Sequence, residues 1–204
     1  MKQLVILGGG GHGQVCAEIA YLMNKWQTIV ILDDLEIPNT KMYKWDGQFH
    51  EVQKYDSEKT EFFVAVGNSS IRKKIVEELL VKQKKFATLI HPSAIISTNS
   101  SIDHGCVLMA GVIVNPNVKI GTFCILNTSC TVDHDCILSS YVHLSPGVHL
   151  AGSVVINRET WIGIGSTVSN NVFICEETAI GAGSLVVKNI NEKGVYFGQP
   201  CKKK

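Results

Sequence analysis

Hydrophobic positions in the second half of the chain recur every six residues. Sixteen aliphatic residues keep this period without an insertion. They are Ile96, Ile102, Leu108, Val114, Ile120, Leu126, Val132, Leu138, Leu144, Leu150, Ile156, Ile162, Val168, Ile174, Ile180 and Val186. A small or β-branched residue stands two positions before each of them, as Ala94 does before Ile96. Because side chains alternate along a strand, this offset predicts short strands with two inward residues each, followed by a turn. Three hexads complete a triangular coil, so the pattern predicts about five stacked coils of a parallel β-helix.

The first half of the chain has a different pattern, in which short apolar runs alternate with helical periodicity. It predicts strands over residues 2–7, 28–32 and 62–66, and helices over residues 14–23 and 70–82. Val15, Ile19 and Leu22 are expected to form the apolar face of the first helix. Residues 36–60 fit neither period. Strand and helix in alternation indicate an α/β unit with a parallel sheet.

The two patterns divide the chain into two predicted domains. His91-Pro92 marks the change, because a residue before proline is pushed towards extended geometry. We therefore predict a βαβ domain over residues 1–90 and a β-helix domain with a short C-terminal extension over residues 91–204.

A glycine-rich turn joins the first predicted strand to the first helix. Gly8, Gly10 and Gly13 match G-x-G-x-x-G, and Asp33 lies twenty residues after Gly13, where a ribose-binding acid would lie. N–H groups at a helix N-terminus favour an anion, so a phosphate is the expected ligand. A full dinucleotide fold needs two mononucleotide halves, and the repeat begins before a second half fits. Half a Rossmann unit favours a nucleoside diphosphate; the alternative is a turn that serves only the fold.

Two further polar positions follow the third predicted strand. Gly67 and Asn68 stand at its carboxyl end, where ligands bind in open α/β sheets. We therefore include both in the predicted nucleotide site.

The histidines of the repeat all fall outside its inward positions. His134 lies between Asp133 and Asp135, and adjacent carboxylates raise the pKa of an imidazole and can orient it. Gly152 follows His134 by one coil of 18 residues, so its amide is expected one rung away. A base beside a free amide suits acyl transfer, although a surface histidine near surface acids has the same spacing. His143 is half a coil further, so it could meet His134 only across a subunit interface.

Charge and cysteine content exclude several other functions. The formal net charge is +1, which gives no reason to expect a nucleic acid or membrane partner. Of the seven cysteines, Cys106, Cys124, Cys130 and Cys136 occupy the small inward position, where a thiol packs as a small apolar group. Nothing fixes a metal geometry among the histidines, and we predict no metal site. A protein with reduced thiols and no predicted leader or membrane span is expected in the cytoplasm.

Several segments together resemble the hexapeptide nucleotide-sugar acetyltransferases of the sialic acid O-acetyltransferase group, in particular the UDP-4-amino-sugar N-acetyltransferases of bacillosamine synthesis. They lie in both halves of the chain. The segments are Gly10-Gly11-His12-Gly13 to Cys16, Asp33-Asp34, Ala65-Val66-Gly67-Asn68 with Ile71-Arg72-Lys73-Lys74, His134-Asp135, Val142-His143 with Ala151-Gly152, and Lys193-Gly194-Val195 through Gly198-Gln199-Pro200.

The resemblance implies a left-handed β-helix, a homotrimer with sites between subunits, and acetyl-CoA as the donor. It implies that His134 is the base and that Asp135 raises its basicity. Gly10, Gly11 and His12 would surround the sugar diphosphate, and Asp33 and Asp34 would lie at the nucleobase. His143, Gly152, Ile164 and Ala182 would lie along the coenzyme.

The function that follows is an acetyl-CoA-dependent N-acetyltransferase acting on a UDP-linked 4-amino-4,6-dideoxy sugar by direct attack. A GDP-linked amino sugar or a sialic acid hydroxyl is the alternative acceptor. Two other classes remain: an NAD-binding oxidoreductase and a non-catalytic sugar-nucleotide binding protein.

Overall fold

The computed structural model describes residues 2–55 and 58–204 and divides the chain into two compact units, residues 1–92 and 93–204. The first unit is an α/β layer. Its elements are β1 (Gln3–Leu7), α1 (Gly11–Met23), β2 (Thr28–Leu32), β3 (Lys44–Trp45), a 3₁₀ helix (Phe49–Lys54), β4 (Thr60–Val64), α2 (Ser69–Val81), β5 (Lys85–Phe86) and β6 (Leu89–Ile90). Five of the strands form a parallel sheet in the order β3-β2-β1-β4-β5.

The sheet is larger than the three strands that the sequence pattern predicts. The prediction for β2 is confirmed, and those for β1, β4 and α2 are correct to within two residues. β3, the 3₁₀ helix and β5 were not predicted, because two-residue strands and a six-residue 3₁₀ helix are too short to show a period.

Two predictions about α1 are wrong. The helix begins at Gly11 and not at residue 14, which places His12 in its first turn. Its buried face consists mainly of small residues, Gly13, Cys16, Ala17 and Ala20, together with Ile19, whereas Val15 and Leu22 are exposed. Small side chains allow close packing against the sheet, and a search for large apolar residues does not find them.

The second unit is the predicted β-helix. Sixteen two-residue strands follow one another: β7 (Ile95–Ile96), β8 (Ser101–Ile102), β9 (Val107–Leu108), β10 (Ile113–Val114), β11 (Lys119–Ile120), β12 (Ile125–Leu126), β13 (Thr131–Val132), β14 (Ile137–Leu138), β15 (His143–Leu144), β16 (His149–Leu150), β17 (Val155–Ile156), β18 (Trp161–Ile162), β19 (Thr167–Val168), β20 (Phe173–Ile174), β21 (Ala179–Ile180) and β22 (Leu185–Val186). From β7 to β19, each strand pairs in parallel with the strand three places on, so residues 18 apart are neighbours in adjacent coils, as Thr131 and His149 are. After the last coil, β23 (Val195–Phe197) pairs with β21, and β24 (Lys202–Lys203) pairs with β23.

The core of this unit is the predicted hexad column. From Leu108 to Val186, every aliphatic position of the period is at most 2% exposed. Ile96 and Ile102, in the first coil, are half-buried because no earlier coil of the repeat lies beneath them. The inward prediction is therefore confirmed.

The small inward position also has a polar role. Cys106, Cys124 and Cys136 are buried, and each thiol donates to a turn carbonyl 15 residues ahead at 3.1–3.2 Å. Thr160 and Ser166 donate in the same way at 3.0 Å. A small donor at this position therefore satisfies a carbonyl that the strand ladder leaves unpaired.

Candidate active site

His134 occupies a corner of the β-helix, in the turn between β13 and β14. Its Nδ1 lies 2.7 Å from Oδ2 of Asp135, and the two side chains are 57% and 48% exposed in the isolated chain. Asp135 has φ of +60°, a left-handed conformation that aspartate and asparagine adopt more readily than most residues. A ring whose Nδ1–H donates to a carboxylate leaves Nε2 as the basic atom.

The other flanking carboxylate has a different partner. Oδ1 of Asp133 accepts from the backbone N–H of His134 at 2.8 Å and from Nδ2 of Asn115 at 2.7 Å. Asp133 therefore orients the turn, while Asp135 contacts the imidazole.

These contacts shift the acid–base properties of the corner. The hydrogen bond that the His134 ring donates to Asp135, followed by the charge of Asp133, raises the pKa of His134 above 6.5. The hydrogen bonds that Asp135 accepts from His134 and then from Asn117 lower the pKa of its carboxyl group. His134 is thus a stronger base than a free imidazole.

Gly152 lies directly above the ring. A Cβ added to Gly152 would stand 2.6 Å from both Cε1 and Nε2 of His134. The N–H of the next residue, Ser153, donates to the carbonyl of His134 at 2.9 Å, which fixes the two coils in register. Within residues 2–55 and 58–204, the Gly152 N–H has no hydrogen-bond acceptor. The corner thus combines an oriented base with an unused amide.

The other predicted coenzyme residues lie elsewhere on the prism. His143 is half-buried in β15, and Ile164 and Ala182 are exposed in the turns that follow β18 and β21. Ile164 and Ala182 share one corner, since the Gly183 N–H donates to the Ile164 carbonyl at 2.8 Å. Within one chain, this corner is distinct from the corner of His134 and Gly152.

In the first unit, two of the turn glycines are required by the fold. A Cβ on Gly13 would stand 1.9 Å from the Gly8 carbonyl oxygen. Gly8 has φ of +112°, and a Cβ there would stand 2.8 Å from the Ala65 carbonyl oxygen.

Gly10 and Gly11 have no such constraint. A Cβ on either would meet nothing within 4 Å, and Gly10 has φ of −63°, which any residue can adopt. Gly10 is the N-cap of α1, no side chain among the described residues caps the helix, and its first turn carries no acid. The open space therefore faces uncapped N–H groups, an arrangement that suits an anion.

The predicted nucleobase acids have partners of their own. Asp33 accepts from the Gly9 N–H at 2.6 Å and from the Leu35 N–H at 2.9 Å, so it braces the glycine turn. Asp34 is exposed and accepts from the Phe49 N–H at 3.3 Å, beside the 3₁₀ helix.

His12 is partly buried at the start of α1. Burial, and then the charge of Arg72, lower its pKa to about 4, so the ring is neutral at pH 7. Its Nε2 lies 3.8 Å from Sγ of Cys16, whose own pKa is raised by burial. A neutral imidazole at this position can form hydrogen bonds but carries no charge.

The segment after β4 is organised by α2. Asn68 caps this helix, with its side-chain oxygen accepting from the Ile71 N–H at 3.0 Å. Gly67 accepts from Arg72 through its carbonyl at 2.9 Å, and Arg72 also donates to Val66 O at 2.8 Å. Arg72 is 1% exposed. Sequence reasoning assigned Gly67 and Asn68 to the site but gave no role to Arg72, which was quoted only within a segment that carries the resemblance. The structure shows that Arg72 carries a buried positive charge close to His12.

Asn115 and Asn117 were also missed. Asn115 precedes Asp133 by 18 residues and Asn117 precedes Asp135 by 18, so the coil length could have found both.

The remaining candidate chemistry is limited. In the described part of the chain, no three metal-ligating side chains come together, and no helix is long and apolar enough to cross a membrane. All seven cysteines have free thiols, and burial raises the pKa of Cys130 to about 12 and of Cys136 to about 11.

Comparison with known proteins shows which family shares this architecture. The PglD N-terminal domain family matches residues 3–79. The acetyltransferase domain of PglB from Neisseria gonorrhoeae FA1090 is 34% identical, covers 100% of both chains and superposes with a TM-score of 0.96. The chain belongs to the hexapeptide-repeat nucleotide-sugar acetyltransferases. Its fold is accordingly a Rossmann-like N-terminal unit followed by a left-handed parallel β-helix.

Two further relatives in this family are named for different nucleotides. PerB from Caulobacter crescentus, solved with CoA and GDP-perosamine, is 32% identical over 100% of this chain and 98% of its own, with a TM-score of 0.91. A UDP-N-acetylbacillosamine N-acetyltransferase from Bacillus subtilis is 35% identical over 119 residues, which are 54% of this chain and 52% of that protein. The aligned part therefore spans about half the length of this relative.

Proposed function

We propose that this protein transfers an acetyl group from acetyl-CoA to the 4-amino group of a UDP-linked 4-amino-4,6-dideoxy sugar. The observation that carries the proposal is the corner at which His134, oriented by Asp135, lies over Gly152. Support comes from the neighbours, since the PglB acetyltransferase domain has been solved with acetyl coenzyme A.

The proposed reaction is a direct transfer. The acceptor amine attacks the thioester carbonyl, and Nε2 of His134 takes the proton that the nitrogen loses. The resulting imidazolium is stabilised by Asp135. Collapse of the tetrahedral intermediate forms the amide and expels the CoA thiolate, which takes the proton from the His134 imidazolium and so regenerates the base.

The unused N–H of Gly152 is the proposed oxyanion donor. It lies on the rung above the base, so an acyl group beside Nε2 would place its carbonyl oxygen near this amide. The raised pKa values of the buried thiols Cys16, Cys130 and Cys136 argue against these three as nucleophiles, and the proposed direct transfer forms no acyl-enzyme.

His143 and the corner of Ile164 and Ala182 are proposed to bind the coenzyme in a homotrimer. In one prism they lie away from His134, so a second copy has to bring them to the same site. The resemblance implies such a trimer, and a second copy at this corner would cover the base, which is 57% exposed in the isolated chain.

The choice of acceptor is tested with a panel. Thiol release from acetyl-CoA should be fast with UDP-linked 4-amino sugars and slow with GDP-linked ones and with sialic acid. The GDP-perosamine complexes of a relative make the GDP-linked sugars the second candidate. Absence of thiol release with every acceptor, despite tight binding of the nucleotide sugar, would favour a non-catalytic binding protein.

A substitution in the glycine turn tests the nucleotide end of the site. Gly10→Val should raise KM for the nucleotide sugar about tenfold or more, because a side chain would fill the space next to the uncapped N–H groups. KM for acetyl-CoA should stay unchanged, which is the internal control. The unfolding temperature should also be retained, since Gly10 has an ordinary φ of −63°.

Two results would contradict this placement. Equal increases in both KM values would mean that the turn does not hold the acceptor. Saturable NADH binding would revive the oxidoreductase alternative.

A further inference from the structure

The corner that holds His134 continues into the coil below through a pair of asparagines. Nδ2 of Asn117 donates to Oδ1 of Asp135 at 3.0 Å, while Oδ2 of the same carboxylate lies 2.7 Å from Nδ1 of His134. Each carboxylate oxygen of Asp135 therefore has one hydrogen-bond partner, the Asn117 amide for Oδ1 and the His134 ring for Oδ2. The three groups form a continuous line of hydrogen bonds across two coils.

We propose that Asn117 is a positioning residue for the acetyl transfer, holding the Asp135 carboxylate so that it keeps His134 in the tautomer with a bare Nε2. Only the expected effect on kcat rests on the proposed function; the expected effect on the His134 tautomer does not. Exposed carboxylates rotate freely about their last torsion, and a second hydrogen bond from a fixed donor restricts that rotation. No other donor to Oδ1 of Asp135 occurs among residues 2–55 and 58–204.

A purely conformational role for Asn117 is the alternative. Its φ is +65°, and asparagine is favoured in the left-handed region whatever its side chain contacts. Asn171 provides a matched control, because it lies in the same corner column, two coils above Asp135, with φ of +61°. Its side chain makes no hydrogen bond within the described part of the chain.

Substitution by glycine distinguishes the positioning role of Asn117 from the purely conformational one. Asn117→Gly and Asn171→Gly both keep the left-handed backbone accessible and remove a carboxamide. Because Asn117→Gly also removes a side chain, Asn117→Asp is the second variant: it keeps the size and backbone preference and replaces the amide donor by an acceptor.

The other charged groups at the corner are unchanged in these variants. Asp133 keeps its bonds to Asn115 and to the His134 backbone, and the Cys136 thiol keeps its bond to the Ala151 carbonyl. From the coil above, Gly152 and Ser153 contribute no charge. In Asn117→Gly, which adds no charge, a change in the titration of His134 therefore reports on Asp135. Asn117→Asp adds a carboxylate of its own, so only the tautomer is compared in that variant.

The first readout is independent of activity. Nitrogen-15 NMR of the neutral His134 ring, assigned by its loss in His134→Ala, should show hydrogen on Nδ1 in the wild type and in Asn171→Gly. In Asn117→Gly and Asn117→Asp, the fraction carrying hydrogen on Nε2 should rise. The pKa of His134 should also fall in Asn117→Gly, since a less firmly held carboxylate stabilises the imidazolium less.

The second readout is kinetic. Asn117→Gly should lower kcat about fivefold to twentyfold, a part of the general-base contribution, with little change in either KM. The acidic limb of the kcat/KM profile should move to lower pH, because an imidazole whose carboxylate partner is held less firmly has a lower pKa. Asn171→Gly should leave both kcat and the limb in place.

The outcomes are distinguishable. An unchanged tautomer in both Asn117 variants, together with an unchanged His134 pKa in Asn117→Gly, would overturn the positioning role, whatever happens to activity. A changed tautomer in a protein that acetylates none of the amino sugars would uphold the hydrogen-bond line and refute the proposed function instead.

Discussion

His134→Ala is expected to lower kcat by about 10² to 10⁴, the range typical of a lost general base. The structure gives the reason, because His134 is the ring that Asp135 holds with a bare Nε2 over Gly152. Steady-state thiol release measures the loss. Nucleotide-sugar affinity, measured by calorimetry, should stay near the wild-type value.

A second histidine controls for this result. His104 is also exposed on the outside of the prism, where its ring meets Phe123 edge-on at 5.1 Å. His104→Ala should retain most of the activity. Retention of more than half the wild-type kcat in His134→Ala, with sedimentation unchanged, would remove His134 from the mechanism.

The second large effect on kcat is expected from a single methyl group added at Gly152. Gly152→Ala places a methyl group 2.6 Å from Nε2 and Cε1 of His134, so the ring has to move. A displacement of this size at a reacting group lowers kcat by about tenfold to a hundredfold. Unfolding should change little, because the ring is half exposed and can turn outward.

A double-mutant cycle assigns the effect to the ring. In the His134→Ala background the methyl group has nothing to displace, so Gly152→Ala should add little further loss. Full additivity of the two substitutions would mean that the alanine acts elsewhere, for example on the amide that faces the oxyanion.

The sequence predicts the second unit better than the first for a physical reason. Each inward residue of the β-helix, such as Leu144, recurs in an equivalent environment 18 residues away, so one rule applies sixteen times. In the first unit each element occurs once. β3 and β5 contain two residues each, and their pairing is decided by tertiary contacts that no local pattern encodes.

Helix α1 shows how a local rule fails. Its large apolar residues Val15 and Leu22 face outward, and the helix packs through Gly13, Ala17 and Ala20. Close approach between a helix and a sheet favours small side chains, which carry almost no hydrophobic signal of their own.

The candidate site could be predicted where a residue type suited to acid–base chemistry falls on an informative position of the six-residue repeat. His134 and Asp135 stand out because a histidine between acids falls on an outward position, and Gly152 follows from the coil length. Arg72 gave no such signal, since a buried arginine in a polar helix resembles a solvated one until the fold brings it to Val66 and Gly67.

The thiols at the small inward position can report on local opening of the β-helix. Cys106, Cys124, Cys130 and Cys136 are all 0% exposed, and a reagent can reach them only after neighbouring coils separate. Opening of this kind is local and has its own free energy, because each coil contacts only its neighbours. The middle of the repeat therefore carries its own chemical reporters, and their rates of alkylation record how often the coils around His134 come apart.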